Sequence, residues 1–266
     1  MSSLLAFFAF ALGAILGSFL NVVIHRYPRE ESIVFPPSHC PRCNVRIAWY
    51  DNIPVVSYLI LLARCRSCRM PISPRYPLVE LANALFYLAV YLRTGVTIAF
   101  PLVAAIVSMI IVLIYIDADI QILPDVIDLP GIAIGIGLGA IGAGAMSSDL
   151  MISSSLIDSL AGAFIGASVL LTIALTYRLI RKVEGMGLGD VKMMAMLGAV
   201  VGWEPLFGLL VIASVAGAIV GGFVAWRSGE GMRAALPFGV FLGLAALAII
   251  FFGPTLWSCY LALLPR

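Results

Sequence analysis

Four cysteines and a scatter of aspartates are the residues in this chain whose types and spacing could do chemistry. Cys40-Pro-Arg-Cys43 and Cys65-Arg-Ser-Cys68 form two C-x2-C pairs with 21 residues between them. Two such knuckles can present four thiolates tetrahedrally to zinc, and a site closed by four thiolates is structural rather than catalytic. The rival chemistries are two disulfides or a redox C-x-x-C. A cytosolic loop argues against disulfides, and no βαβ pattern supports the redox site. His39 adjoins the first pair as a neighbour, and Cys259 stands alone as a small core residue of the last apolar run.

The carboxylates are the second set. Asp117-Ala-Asp-Ile-Gln-Ile-Leu-Pro-Asp125 follows an apolar run ending at Ile116, and Gly185-Met-Gly-Leu-Gly-Asp190 opens the run Met193 to Val201. A carboxylate beside hydrocarbon is expensive and usually functional. Two that meet can share a proton and activate water. Asp117, Asp119, Asp125 and Asp128 all compete to partner Asp190. Asp117 terminates an apolar run and so faces a reduced dielectric. Asp125 and Asp128 read as solvated loop acids and caps, with Pro124 and Pro130 breaking and restarting the helix. Asp128, before Leu129-Pro130, suits an N-cap followed by proline at the first helical position. Gly187 and Gly189 let the backbone approach another segment closely and aim Asp190 from a helix start. Taken bare, Gly-x-Gly-Asp equally suits a buried cap or an ion-pathway carboxylate. Lys192 points elsewhere on that helix and reads as snorkelling to the surface. Glu80 enters an apolar helix, which is either functional or simply favourable at a helix N-terminus.

The elements that position these groups are membrane helices. With 62% hydrophobic and 11% charged residues, the chain is an integral membrane protein and not a soluble domain. At about 20 apolar residues per span, runs near 4–25, 78–93, 98–116, 130–146, 159–180, 190–203, 205–226 and 236–253 predict an all-α polytopic fold with seven or eight transmembrane helices, eight being the reading taken. The first run lacks a basic segment before Leu4. Its Gly13, Gly17 and Asn21 suit a packed helix face better than a cleaved signal. The domain reading is a first helix (1–25), a cytosolic four-cysteine zinc loop (26–77) and a transmembrane catalytic part (78–266). A loop of this size buries little core, so metal would supply its folding energy.

Basic residues set the orientation. With the N-terminus outside, 14 of 16 Lys and Arg fall in the cytosol, leaving only Arg93 and Arg266 outside. The cysteine loop and both aspartate motifs then face the cytosol. The net charge of +2 is explained by orientation and anionic lipid, with no call for nucleic acid.

Together these stretches resemble the bacterial type IV prepilin peptidases, bifunctional leader peptidase/N-methyltransferases among the GxGD aspartic proteases. The resemblance runs in order through Gly17-Ser-Phe-Leu-Asn-Val-Val-Ile-His-Arg26, the paired cysteines, Asn52-Ile-Pro-Val-Val-Ser-Tyr58 and Arg75-Tyr-Pro-Leu-Val-Glu80. It continues through the Asp117–Asp125 motif and Gly185–Asp190, and ends near Pro237-Phe-Gly239. It implies that Asp117 and Asp190 are the catalytic pair; Gly187, Gly189, Glu80 and Lys192 are read from their own chemistry as supporting residues. It implies prepilins and type II secretion pseudopilins as substrates, cut on the cytosolic side of a bacterial inner membrane. It also implies that the new N-terminal residue is methylated from S-adenosylmethionine. No Gly-rich loop of the Rossmann kind is present, so no donor-site residue is assigned. Relatives often carry Gly-Lys before the third cysteine, whereas this chain has Ala63-Arg64. A peptidase without methylation, and an ion-coupled carrier using Asp117 and Asp190 as a proton relay, are the alternatives. No inverted repeat favours the carrier. The oligomeric state and the function of 142–158 are not legible.

Overall fold

A computed structural model describes residues 2–147, 149–182, 187–228 and 236–263. The chain divides into two compact units, Met1–Phe100 and Pro101–Arg266. Among the described residues every regular element is helical. The helices are α1 (Ser2–Arg26), α2 (Val56–Ile60), α3 (Arg75–Thr94), α4 (Ala99–Ile120), α5 (Asp125–Ala140), α6 (Ala143–Met146), α7 (Leu156–Arg181), α8 (Leu188–Val201), α9 (Leu206–Ser228) and α10 (Phe238–Leu263).

Seven of the eight apolar runs read from the sequence each correspond to one helix, while the run at 130–146 breaks at Ile141–Gly142 into the end of α5 and the short α6. Among the described residues five helices are long and apolar enough to cross a membrane: α1, α4, α7, α9 and α10. The other three fall short for visible reasons. α8 has 14 residues and α5 has 16, while α3 carries Arg75, Glu80 and Arg93 along its length.

In the first unit α1 lies along α3. Apolar surface drives little association between helices that share a lipid solvent, so close packing of small residues must do it. A Cβ at Gly13 would stand 2.7 Å from the Tyr87 Cβ, and one at Gly17 would stand 2.8 Å from the Glu80 Cα. Asn83 donates to the Gly13 carbonyl at 2.7 Å, and Asn21 to the Tyr76 carbonyl at 3.1 Å. The packed face expected of Gly13, Gly17 and Asn21 is present.

In the second unit α8 is the buried centre, packed on α5, α7 and α10. Met193, Met194, Met196 and Leu197 are fully buried. Glycine again sets the distance. A Cβ at Gly198 would collide with the Gly162 carbonyl oxygen, and one at Gly166 would fall 2.7 Å from that of Met194. Described residues between 149 and 158 reach the end of α8 and the turn after it. Ser153 donates its N–H to the Val200 carbonyl, and Asp158 accepts from the Trp203 N–H.

One expectation is corrected outright. The helix read from Pro130 onward starts at Asp125, with Pro130 inside it and Pro124 immediately before it. The Pro124 carbonyl accepts the N–H groups of Ile127 and Asp128, so the first turn closes one turn earlier than the proline rule implied. Asp128 is therefore neither an N-cap nor solvated. It is 0% exposed, and both of its carboxylate oxygens lack a hydrogen-bond partner among the described residues. Gly185, Arg233, Arg266 and the Cys259 side chain lie outside the described residues.

Candidate functional sites

The cysteine loop is two copies of one turn. Cys40 donates its N–H to the Val45 carbonyl and receives the N–H of Asn44, and Cys65 does the same with Met70 and Arg69. Asn44 and Arg69 both take positive φ, 55° and 58°. Bridges His39–Arg46 and Arg64–Pro71 close each turn. The common offset is 25 residues, a local repeat the sequence reading passed over. The turns bring the sulfurs of Cys40, Cys43, Cys65 and Cys68 within 4.8 Å of one another, a group that could hold a metal ion. Cys40 Sγ and Cys68 Sγ are 3.8 Å apart, which matches the edge, roughly 3.8 Å, of a tetrahedron with metal–sulfur bonds of about 2.3 Å. The Cys68 and Ser67 N–H groups point at the Cys65 sulfur and hold its thiol down to about 7. At Cys43 the Val45 N–H is outweighed, and burial and the other three thiols push the thiol up to about 11. In the metal-free cluster Cys65 is thus the sulfur readied as a thiolate. His39 Nδ1 lies against the Pro37 carbonyl, outside the cluster.

Nearby polar contacts brace the loop. Arg66 clasps Asp51 with both arms, at 2.7 and 2.5 Å, and lies over the Tyr50 ring. Its two hydrogen bonds hold the Asp51 carboxyl below the ordinary carboxylate range. Ala63, in place of the relatives' glycine, takes φ +57°, a conformation that glycine adopts without steric cost. Glu80, on the second turn of α3, is 9% exposed and accepts the Val55 N–H at 2.7 Å.

The aspartate site, in the second unit, is built from helix ends. Asp117 is one turn from the end of α4 and only 4% exposed. Its Oδ2 accepts the Val240 N–H at 2.9 Å, and the Gly239 N–H also donates to the carboxylate. Both amides belong to the first turn of α10, so the carboxylate caps a helix dipole. Asp190 is half-buried in the first turn of α8 and reaches back to the N–H of Gly187, the N-cap. The Asp117 charge acts on Asp190 directly. Of the four candidates, Asp117 and Asp128 both share an electrostatic interaction with Asp190, and of these two Asp117 alone has its carboxylate held by the amides of a helix start.

Two glycines make this approach possible. A Cβ at Gly239 would sit 2.9 Å from Asp117 Oδ2, and one at Gly189 would sit 2.9 Å from the Leu123 Cβ. Leu123 is buried between them. Gly187 has open space around it and serves as the N-cap instead. Gly239 and Leu123 were not singled out in the sequence. Their only signals are the Pro-Phe-Gly run before α10 and the Leu-Pro of the first motif. Lys192 does not merely snorkel. Its ammonium contacts both oxygens of Asp125 at 2.7 Å, tying the first turn of α8 to that of α5. Its charge also reaches Asp128.

Fold and site define a polytopic helical membrane protein with buried or half-buried carboxylates at helix termini and a four-thiol cluster in a polar loop. Residues 11–94 match the bacterial Peptidase A24 N-terminal domain and residues 104–222 the type IV leader peptidase family. The chain is 34% identical to the prepilin leader peptidase/N-methyltransferase of Pseudomonas putida over 278 residues, covering 96% of this chain and 93% of that protein. It is 37% identical to the protein of the same name from Burkholderia pseudomallei over 275 residues, covering 92% and 85%. Identity to the Myxococcus xanthus protein of that name reaches 43% over 226 residues, 82% of this chain but only 62% of the relative's length. No solved structure matches. The chain belongs to the type IV leader peptidase family, whose members here carry the name prepilin leader peptidase/N-methyltransferase.

Proposed function

We propose that this protein removes the leader peptide of prepilins and type II secretion pseudopilins, then methylates the new N-terminal amine. The observation that supports the cleavage reading is that Asp117 caps the first turn of α10 while its charge acts on Asp190 in the first turn of α8. One carboxylate takes a proton from water while the other protonates or polarises the scissile carbonyl, so no covalent acyl-enzyme forms. Asp117 is fixed by the α10 amides. Asp190, the more exposed of the two, is the group that adjusts to substrate. The Lys192–Asp125 pair supports it by holding the start of α8 in place.

The four cysteines are assigned to structural zinc. Their tetrahedral spacing and the lowered Cys65 thiol support this, and such a site leaves no open coordination position. The loop 26–77 then serves methylation, and the helices within 78–266 serve cleavage. S-adenosylmethionine is the donor that the family's name supports. We further infer eight spans, with the short α5 and α8 and the charged α3 completed by neighbouring helices in a bacterial inner membrane. Their lipid-facing sides are exposed residues such as Phe7, Phe8 and Ile15 on α1 and Val215, Ile219 and Trp226 on α9. The positive-inside bias places the N-terminus in the periplasm and the cleavage site at the cytosolic surface.

The test is direct. Purified protein in detergent is given a prepilin and then S-adenosylmethionine. The expected products are a chain shortened by its leader, followed by a mass gain of one methyl group. Failure to shorten the substrate would overturn the peptidase reading.

A further inference from the structure

Glu80 is the buried carboxylate of the first unit among the described residues. It is 9% exposed, and the groups that hold it are both neutral, the Val55 N–H at 2.7 Å and the Ser18 hydroxyl. Asp51 and Asp125 are instead held by cations, Arg66 and Lys192, so Glu80 shares its purely neutral clasp with Asp117 of the proposed catalytic pair. A buried carboxylate is normally paired with a cation or a metal. Two neutral donors also leave part of its capacity of about four lone-pair sites unused.

The segment that supplies the amide is held under strain. Val55 takes φ 63° and ψ −48°, a conformation that a β-branched residue strongly resists. The Val56 N–H closes back on the Pro54 carbonyl at 2.6 Å, a three-residue turn of the rare, strained hand. Such strain persists where surrounding structure enforces it, and it concentrates at binding sites. Here it aims the Val55 amide at Glu80. Gly17 completes the arrangement, since a Cβ there would collide with the Glu80 Cα and push α1 away.

We propose that Glu80 is the receptor for the primary α-ammonium of the freshly cleaved substrate, holding it for methyl transfer. An ammonium supplies three donors and the positive charge that the site lacks. The inference rests on the reading that this chain methylates. The proton balance is then defined. The ammonium gives one proton to the Glu80 carboxylate and becomes a neutral amine. Its lone pair forms the N–C bond as the C–S bond of a sulfonium donor breaks. The sulfonium leaves as a neutral thioether, the product is a methylammonium, and Glu80 returns its proton to solvent.

The experiment uses the full chain in detergent and a peptide matching the mature substrate N-terminus, with either a free or an acetylated amine. Glu80→Gln keeps an acceptor for Val55 but loses the charge, and Glu80→Asp keeps the charge. Retained metal and an unchanged melting temperature show that each variant is folded. Wild type should bind the free-amine peptide about tenfold more tightly than the acetylated one, as a charge-assisted hydrogen bond implies. Glu80→Asp should keep that preference. Glu80→Gln should lose it, and methylation should fall about 100-fold. A Glu80→Gln protein that still prefers the free amine, or methylates at the wild-type rate, overturns the proposal. The binding arm decides even if wild type transfers no methyl group, and that outcome would instead count against the methylating reading.

Discussion

In the cysteine loop the reactive groups are held by the N–H groups of two short turns, whereas at the aspartate site they are held by the first turns of long helices. The loop has little core and several residues forced to positive φ, among them Asn44, Val55, Leu62, Ala63 and Arg69. Its order must come from outside the hydrophobic effect, through ion pairs such as Arg66–Asp51 and through the metal proposed for its four cysteines. The aspartate site needs no such clamp. Helices locked by Gly162, Gly166 and Gly198 already fix where α8 begins, and Gly239 opens the space Asp117 occupies. A polar loop is therefore broken by removing a ligand. A helix-built site is broken by adding a single carbon.

Short of removing a catalytic carboxylate, the largest effect is expected from that added carbon. Gly239→Ala should push the Asp117 carboxylate from the α10 amides and lower prepilin cleavage about 100-fold, as expected for a catalytic group displaced by about 1 Å. Helical content should be unchanged by circular dichroism. Cleavage within a few-fold of wild type would mean that the close approach is not needed. On the other side of the comparison, Cys65→Ser should drop bound zinc from about one ion per chain to nearly none, as read by metal analysis. It should also make the loop protease-sensitive. Acidification should do the same reversibly. The Cys65 thiol, held near 7 in the metal-free loop, is a thiolate above that pH, so proton competition for zinc grows as pH falls below it. The smallest effect belongs to Ala63→Gly. It relieves a positive φ at the cost of a floppier unfolded chain, so loop stability should rise by no more than about 1 kcal/mol. A clear loss of stability would show that Ala63 is not strained.

How much of this was legible depended on the range of the interactions. The two C-x2-C pairs are local and carry their ligand geometry in their spacing, so the four cysteines could be named at once. Asp190 was legible because glycines precede it and an apolar run follows. The partner of Asp190 was not decided by the residues alone, because Asp117, Asp119, Asp125 and Asp128 share one polar stretch. The α10 amides that hold Asp117 come from more than 100 residues away. Asp128 was misread for a related reason. Pro130 suggested a helix start, but the Pro124 carbonyl captured the turn first and drew Asp128 inside. The strain at Val55 and the absence of a cation beside Glu80 among the described residues depend on tertiary contact and leave no mark in composition or period.

The most direct test of the central claim compares Asp117→Asn and Asp190→Asn in two assays on the same purified proteins. One assay follows leader cleavage of an intact prepilin, and the other follows methyl transfer to a precleaved chain. Each variant should lose cleavage by at least about 1,000-fold, the scale of lost acid–base catalysis, while methyl transfer to the precleaved chain continues. Substantial cleavage by either variant would contradict the pairing of Asp117 with Asp190.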